Sequence, residues 1–259
     1  PAARALRTGR TGVIAFHFAP TPPGEQLSPR VGQVLSGALD ACAERNISIT
    51  IPAGQARPAC DGAIVLAADV AGLALEVPHV RVGLDDPADD QLIAPDPGPI
   101  DEALTAIFDH GHRRMAVISD QMEAPWFARR AAIWPGEARV LTTPSESHEH
   151  GFTIGRELLI HGRQPPTAIV VVGENLAFGL MAAITELGLR APDDVSLVAI
   201  GDRDSFTPEM ASVRIPQREL GARAVAHLGG IMDGGDATRA GRVPCEFHLG
   251  ETLGPPPAP

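Results

Sequence analysis

Short apolar runs alternate with amphipathic stretches along most of the chain. Residues 12–16 (GVIAF) predict a first strand, followed by a polar, proline-rich loop through Pro20, Pro22 and Pro23. Val31, Val34, Leu35, Ala38, Leu39 and Cys42 then recur at helical spacing and give one apolar face. Residues 47–51, 61–66 and 79–83 predict three further strands, and Ile100, Ala103, Leu104, Ile107 and Phe108 mark a helix that stops at Gly111. Residues 115–119 are almost continuously apolar, as a strand covered on both faces should be. The theme repeats: a short helix at 126–134, a strand at 138–141, a helix at 152–161 and a buried strand at 167–172. Leu176, Leu180, Ala183, Ile184 and Leu187 form a helical face closed by Gly188. A buried strand at 195–200 and a long helix carrying Leu220, Ala224, Leu228 and Ile231 complete the pattern. The proline-rich tail from Gly254 is expected to fray.

Strand–helix alternation with short links predicts an α/β chain whose parallel sheets carry helices on both faces. So many units call for two sheets, hence two doubly wound lobes with a cleft between them. Such folds bind ligands at the C-terminal ends of their strands, where the strand order switches.

Composition narrows the function classes. With aromatics at 4% and no tyrosine, the core has to be built from Ala, Val, Ile and Leu. The net charge of −11 opposes phosphate binding by these residues as a whole, although Arg4, Arg7 and Arg10 cluster near the start. The three cysteines, Cys42, Cys60 and Cys245, form no C-x-x-C pair, which fits a reducing cytoplasm better than a disulfide scaffold. No stretch approaches the ~18 apolar residues of a membrane span, and the start lacks an apolar export core. Because the sequence opens at Pro1, it is expected to be a piece of a longer chain.

Catalytic motifs of the common kinds are missing: there is no G-x-S-x-G, no phosphate loop, and no G-x-G-x-x-G after the first strand. No enzyme activity and no cofactor are therefore expected. His148, Glu149 and His150 invite a metal, but Ser145, Glu146 and Ser147 beside them read as an exposed loop and no third ligand is placed, so no metal site is expected. His112 reads as a residue that caps or packs at the turn before a strand.

Several segments carry a resemblance to the lactose-repressor (LacI/GalR) family over nearly the whole chain. They are residues 2–14 (AARALRTGRTGVI), 111–118 (GHRRMAVI), 166–169 (PTAI), 186–198 (ELGLRAPDDVSLV) and 212–216 (SVRIP) with Glu219, Leu220 and Gly221. Each is weak alone; their shared order and spacing carry the likeness. The resemblance implies two lobes like those of type I periplasmic binding proteins, joined by three crossovers. The end of a hinge segment would take 1–10. The N-terminal lobe would take 11–119 plus about 215–235, and the C-terminal lobe about 120–214 plus 236–254, with 255–259 a disordered tail. A helix-turn-helix head would precede Pro1, and operator DNA would be bound through that head rather than through this core. The family is usually a homodimer, and operator symmetry mirrors its two-fold axis.

The resemblance also implies an effector site. Ser28-Pro29-Arg30-Val31 aligns with a segment that usually carries an aromatic, so Arg30 either reaches the effector or is solvated on a loop. Arg130, four residues before Trp134, fits the spacing of an effector-binding arginine, with Arg129 as the competing choice. The family's Asn-Asp becomes Gly173-Glu174 and its Phe-Asp-Asp becomes Ile200-Gly201-Asp202, so two polar ligands of sugar hydroxyls become glycine. His17 and Ser119 end strands that would open on the cleft. The expected effector-binding set is thus Arg130, Asp202, Glu174, Arg30, His17 and Ser119. Two arginines suit an anionic group, so the effector is expected to be a sugar or an anionic sugar derivative. Two readings compete: an exported solute-binding protein of the same fold, and a repressor core whose effector site has decayed.

Overall fold

The computed structural model describes residues 10–18, 27–52, 58–66, 75–84, 91–121, 123–160, 164–202, 204–235 and 241–258. The hinge reading at residues 2–9 lies outside the described residues. The chain forms two compact units, one of residues 1–20, 31–96 and 216–244 and the other of 21–30, 97–215 and 245–259.

The first unit holds a five-stranded sheet in the order β2-β1-β3-β4-β5. Its strands are β1 (Val13–His17), β2 (Ser48–Thr50), β3 (Gly62–Leu66), β4 (His79–Val82) and β5 (Leu92–Ile93), all parallel. Two helices accompany it: α1 (Pro29–Arg45), which belongs to this unit from Val31 onward, and the late helix α6 (Gln217–Met232). The sequence pattern missed β5, because two residues are too few to show alternation. The expected apolar stripe of α1 is buried at Val31, Val34, Ala38 and Cys42, while Leu39 points outward. Burial pushes the Cys42 thiol up to about 11, against the pull of Arg45. Where α1 meets α6 the two backbones touch. A Cβ on Gly37 would lie 1.8 Å from the Arg218 carbonyl oxygen, and one on Gly221 would lie 1.9 Å from that of Val34. Glycine is what lets these helices approach so closely.

The second unit holds a six-stranded sheet in the order β11-β10-β9-β8-β6-β7. Here β6 is Arg114–Asp120, β7 Glu137–Thr143, β8 Ala168–Val172, β9 Ser196–Asp202, β10 Ser212–Ile215 and β11 Glu246–His248. All pair in parallel except β11, which runs antiparallel to β10. The helices are α2 (Gly98–Asp109), α3 (Ala124–Ala131), α4 (His148–Ile160) and α5 (Glu174–Glu186). Ala116, Ile118, Ile169, Val171, Leu197 and Ala199 from the sheet join Leu176, Leu180 and Ile184 of α5 in one apolar core.

Residues 97–119 belong to this second unit and not to the first, as the sequence led us to expect. The reason is β6: it pairs with β7 on one side and β8 on the other, inside the sheet and next to its edge strand, so it cannot be separated from them. The tail also differs from expectation. The Gly254 carbonyl oxygen accepts from His112 Nε2 at 2.8 Å and Pro256 lies against Gly111, so the chain stays anchored beyond β11. His112 itself is fully buried, and its Nδ1 meets Thr167 Oγ1 at 2.9 Å. Among the described residues no helix is long and apolar enough to cross a membrane.

Candidate functional site

The second sheet changes direction at β6. From there the chain runs through α3 to β7 on one side, then through α4 to β8 on the other. The C-terminal ends of β6, β7, β8 and β9 share one edge because these strands are parallel, and a crevice at that edge is where such sheets bind ligands. Ser119 and Asp120 end β6, Glu146 follows β7, Gly173 and Glu174 follow β8, and Gly201 and Asp202 end β9.

Arg30 enters this edge from the N-terminus of α1. Its Nη1 donates to Glu123 Oε1, and its Nη2 lies 3.5 Å from Asp120 Oδ2. Burial works against the guanidinium charge, but Glu123, Asp120, Glu146 and Glu174 outweigh it and hold its pKa above the ordinary value. The carboxylates respond in the opposite direction. Burial pushes Glu123 up to about 7, with Arg30 pulling it back and Asp120 and Glu174 adding to the rise. Burial also raises Glu146, reinforced by the Glu174 carboxylate beside it, while Ser28 Oγ donates to Glu146 Oε2 at 2.6 Å. The Glu146 and Glu174 carboxyls face one another closely enough to share a hydrogen bond once one is protonated.

Two glycines explain how these glutamates fit. A Cβ on Gly173 would fall 2.4 Å from Glu146 Cγ, and one on Gly201 would fall 2.6 Å from Glu174 Oε1. The polar groups that the family resemblance places on those strand ends are replaced by carboxylates arriving from neighbouring positions. Gly173 also sits at φ 108°, a conformation glycine favours.

Three buried polar atoms of the cluster, Arg30 Nε, Glu146 Oε1 and Glu174 Oε2, have no hydrogen-bond partner among the described residues. Such atoms are rare in folded proteins and mark a place for an incoming group. Glu174 is only 3% exposed, so its unmatched oxygen is well removed from bulk water.

Of the six residues singled out in the sequence, four come together here. Glu174 and Arg30 are described above. Asp202 is buried, its N–H donates to Glu174 Oε1, and its Oδ1 accepts from the Asp204 N–H at 3.1 Å. Ser119 is fully buried and donates to the Asp120 carbonyl at 3.1 Å, so its hydroxyl is engaged locally.

Arg130 does not join them, and His17 belongs to the other unit. Arg130 pairs with Asp101 at 2.7 Å and lies over the Trp126 ring, its carbon 3.3 Å from the centroid. It borders an apolar hollow of about 260 Å³ with Leu104, Phe108, Ile133 and Trp134. Trp126 and Arg130 lie one turn apart on α3, and Trp134 follows beyond its end, so the spacing does not bring Arg130 beside Glu174. His17, buried at the end of β1, belongs to the first unit, and burial lowers its pKa. An anion-binding pair of Arg30 and Arg130 is therefore not what the geometry offers: each guanidinium already faces a carboxylate.

Asp120, Glu123 and Glu146 were missed in the sequence. Glu146 lies in the stretch read there as an exposed loop, yet its Oε1 is buried; His148 and Glu149 next to it are exposed. Among the described residues no group of three or more His, Cys, Asp and Glu side chains is arranged to hold a metal ion.

Comparison with known proteins places this geometry in context. Residues 104–253 match the family model described as periplasmic binding protein-like domain. The ribose operon repressor of Haemophilus influenzae is 28% identical over 137 residues, covering 49% of this chain and 41% of the repressor. The regulator AscG of Escherichia coli is 25% identical over 154 residues, covering 52% of this chain and 43% of AscG. The chain thus matches less than half the length of these relatives. Among solved structures, the Lac repressor bound to ONPG in its repressed state superposes with a TM-score of 0.74 at 19% identity, covering 97% of this chain and 85% of that one. A LacI family regulator from Enterococcus faecium with bound ribose gives 0.73 at 18% identity, covering 94% and 99%. At such identities the superpositions speak for the fold.

Proposed function

Because the chain belongs to the periplasmic binding protein-like domain family, in the form shared by LacI-type regulators, we propose that it is the effector-sensing core of a transcriptional repressor. One observation carries this reading. Buried polar atoms of Arg30, Glu146 and Glu174 that have no partner among the described residues gather at the strand-order switch of the second sheet. That edge is where a doubly wound sheet binds small molecules. The ligand is a small hydroxylated molecule, and the core binds it rather than transforms it.

The regulator works as a homodimer in the cytoplasm, and operator DNA is held by a separate head, since the net charge of −11 disfavours DNA contact by this core. The effector acts by population shift: it binds one arrangement of the core more tightly and so biases the heads toward or away from their half-sites. Gel-shift titration of the full-length protein on its own upstream DNA tests the proposal. An effector found by thermal shift should change the operator affinity, and Glu174→Gln should remove that response. An operator affinity indifferent to every ligand that stabilises the core would sink the switch.

A further inference from the structure

The cluster is unbalanced in charge. Around one guanidinium, that of Arg30, stand the carboxyl groups of Asp120, Glu123, Glu146 and Glu174. Arg30 contacts Glu123 and Asp120, and among the described residues no second cation pairs with Glu146 or Glu174. Ser28 Oγ satisfies one Glu146 oxygen and the Asp202 N–H satisfies one Glu174 oxygen. The other oxygen of each is buried with no donor among the described residues, and Glu174 is only 3% exposed. An anion would meet repulsion here. A neutral hydroxyl could donate one hydrogen bond but brings no positive charge to these carboxyl groups. An ammonium or guanidinium group supplies both several donors and the missing charge.

We propose that the effector of this core is a hydroxylated organic cation, its amine or guanidine seated between Glu146 and Glu174. This rests on the effector-sensing reading above and narrows it to a ligand class. The proton that burial drives onto Glu146 is the stand-in for that cation: it removes one negative charge and supplies a donor when no ligand does. Cation binding therefore expels a proton, and affinity rises with pH for as long as the ligand itself stays charged. Two glycines, Gly173 and Gly201, hold the space these glutamates need, so the acidic character is built into the backbone.

The test uses matched compounds that differ only in charge: glucose, glucosamine and glucuronate; glucitol, glucamine and gluconate; with putrescine and agmatine as simple cations. Each is added to the protein, to Glu174→Gln and to Glu146→Gln, and melting temperature is followed at pH 6 and pH 8.5. The expected result is a rise of roughly 5 °C or more near a hundredfold excess over the dissociation constant, for amine-bearing members alone. For glucamine, putrescine and agmatine, which stay charged, the effect should be larger at pH 8.5. Either variant should weaken binding by roughly thirtyfold or more, and two variants guard against one that fails to fold. Stabilisation by glucose or gluconate that Glu174→Gln abolishes would overturn the cation and leave the effector site standing. Amines that stabilise the variants as well as the parent would overturn the site of binding. Silence from every amine in the panel would overturn the cation, while the operator titration decides the effector-sensing reading separately.

Discussion

The backbone N–H of Asp202 donates to Oε1 of Glu174, tying the end of β9 to the first residue of α5. Residue 201 stands against this bond. A methyl group on Gly201 would sit 2.6 Å from the same Glu174 oxygen and 3.0 Å from Phe206 Cζ. Gly201→Ala must displace the carboxylate, break its bond to Asp202 and crowd Phe206. The expected loss of stability is about 1–3 kcal/mol by urea unfolding. Effector binding should fall further than stability does, because the shifted oxygen belongs to the site. A variant that binds as tightly as the parent would detach Glu174 from ligand recognition.

Close approach decides the first unit in a similar way. The α1–α6 contact allows no side chain at Gly37, where a Cβ would lie 1.8 Å from a carbonyl oxygen of the opposing helix. Gly37→Ala raises intrinsic helix propensity by about 1 kcal/mol, so an isolated helix would gain from it. Here the helices must move apart, and overpacking of this kind costs about 1–3 kcal/mol or more. The net outcome should be a lower urea midpoint. A stabilised variant would show that the helices do not touch there.

His112 shows how a turn motif doubles as an anchor. Its ring meets Thr167 Oγ1 at 2.9 Å, Ser196 Oγ at 3.1 Å and the Gly254 carbonyl at 2.8 Å, all without exposure to water. Burial lowers its pKa below 6.5, with the Gly254 carbonyl opposing the shift and His110 and Arg113 adding to it. A histidine depressed in the folded state binds fewer protons there than when unfolded. Its contribution is present above the unfolded value near 6.5 and is lost as the pH falls through the lower folded value. His112→Ala should cost about 3 kcal/mol at pH 7.5. The gap to the parent should narrow as the pH drops to 5, read from urea unfolding at each pH. A constant gap would mean that the ring does not titrate with folding.

Much of this architecture was legible in the sequence because its strands are buried on both faces. The runs at 115–119, 167–172 and 195–200 needed no partner information to be recognised as β6, β8 and β9. With these placed, Ser119 stood at a strand end, while Glu174 and Asp202 came from the family resemblance, which aligns them with polar positions that follow two of these strands. Glu146 escaped because it sits between two serines beside exposed His148 and Glu149, and local polarity does not tell which loop side chain turns inward. The usable signal was indirect: glycine at both 173 and 201, where polar side chains were expected, implied that another side chain occupies that space. Arg130 misled for a different reason. A four-residue spacing to tryptophan satisfies stacking along one helix face as well as it satisfies a ligand motif, and α3 uses it for stacking over Trp126. The boundary at 96 rather than 119 depends on which strand β6 pairs with, which no single segment encodes.

The acidic cluster should leave its mark on the pH dependence of the unliganded protein. Burial raises Glu123 to about 7 and raises Glu146 as well, the latter helped by Glu174. A carboxyl group whose folded pKa lies above its unfolded value holds its proton more tightly when folded. Its stabilising contribution is fully present below the unfolded value, near 4.5, and is lost as the pH rises through the folded one. Glu146→Gln has no proton to lose, and its amide oxygen can still accept from Ser28. The variant should therefore gain on the parent as pH climbs from 5 to 8.5, by more than about 1 kcal/mol if the shift exceeds one unit. At pH 5 the two should be close, because the parent is already protonated there. Chemical unfolding across that range measures the difference directly. Curves that stay parallel from pH 5 to 8.5 would mean that Glu146 titrates alike in both states, and the charge imbalance behind the cationic effector would lose its support.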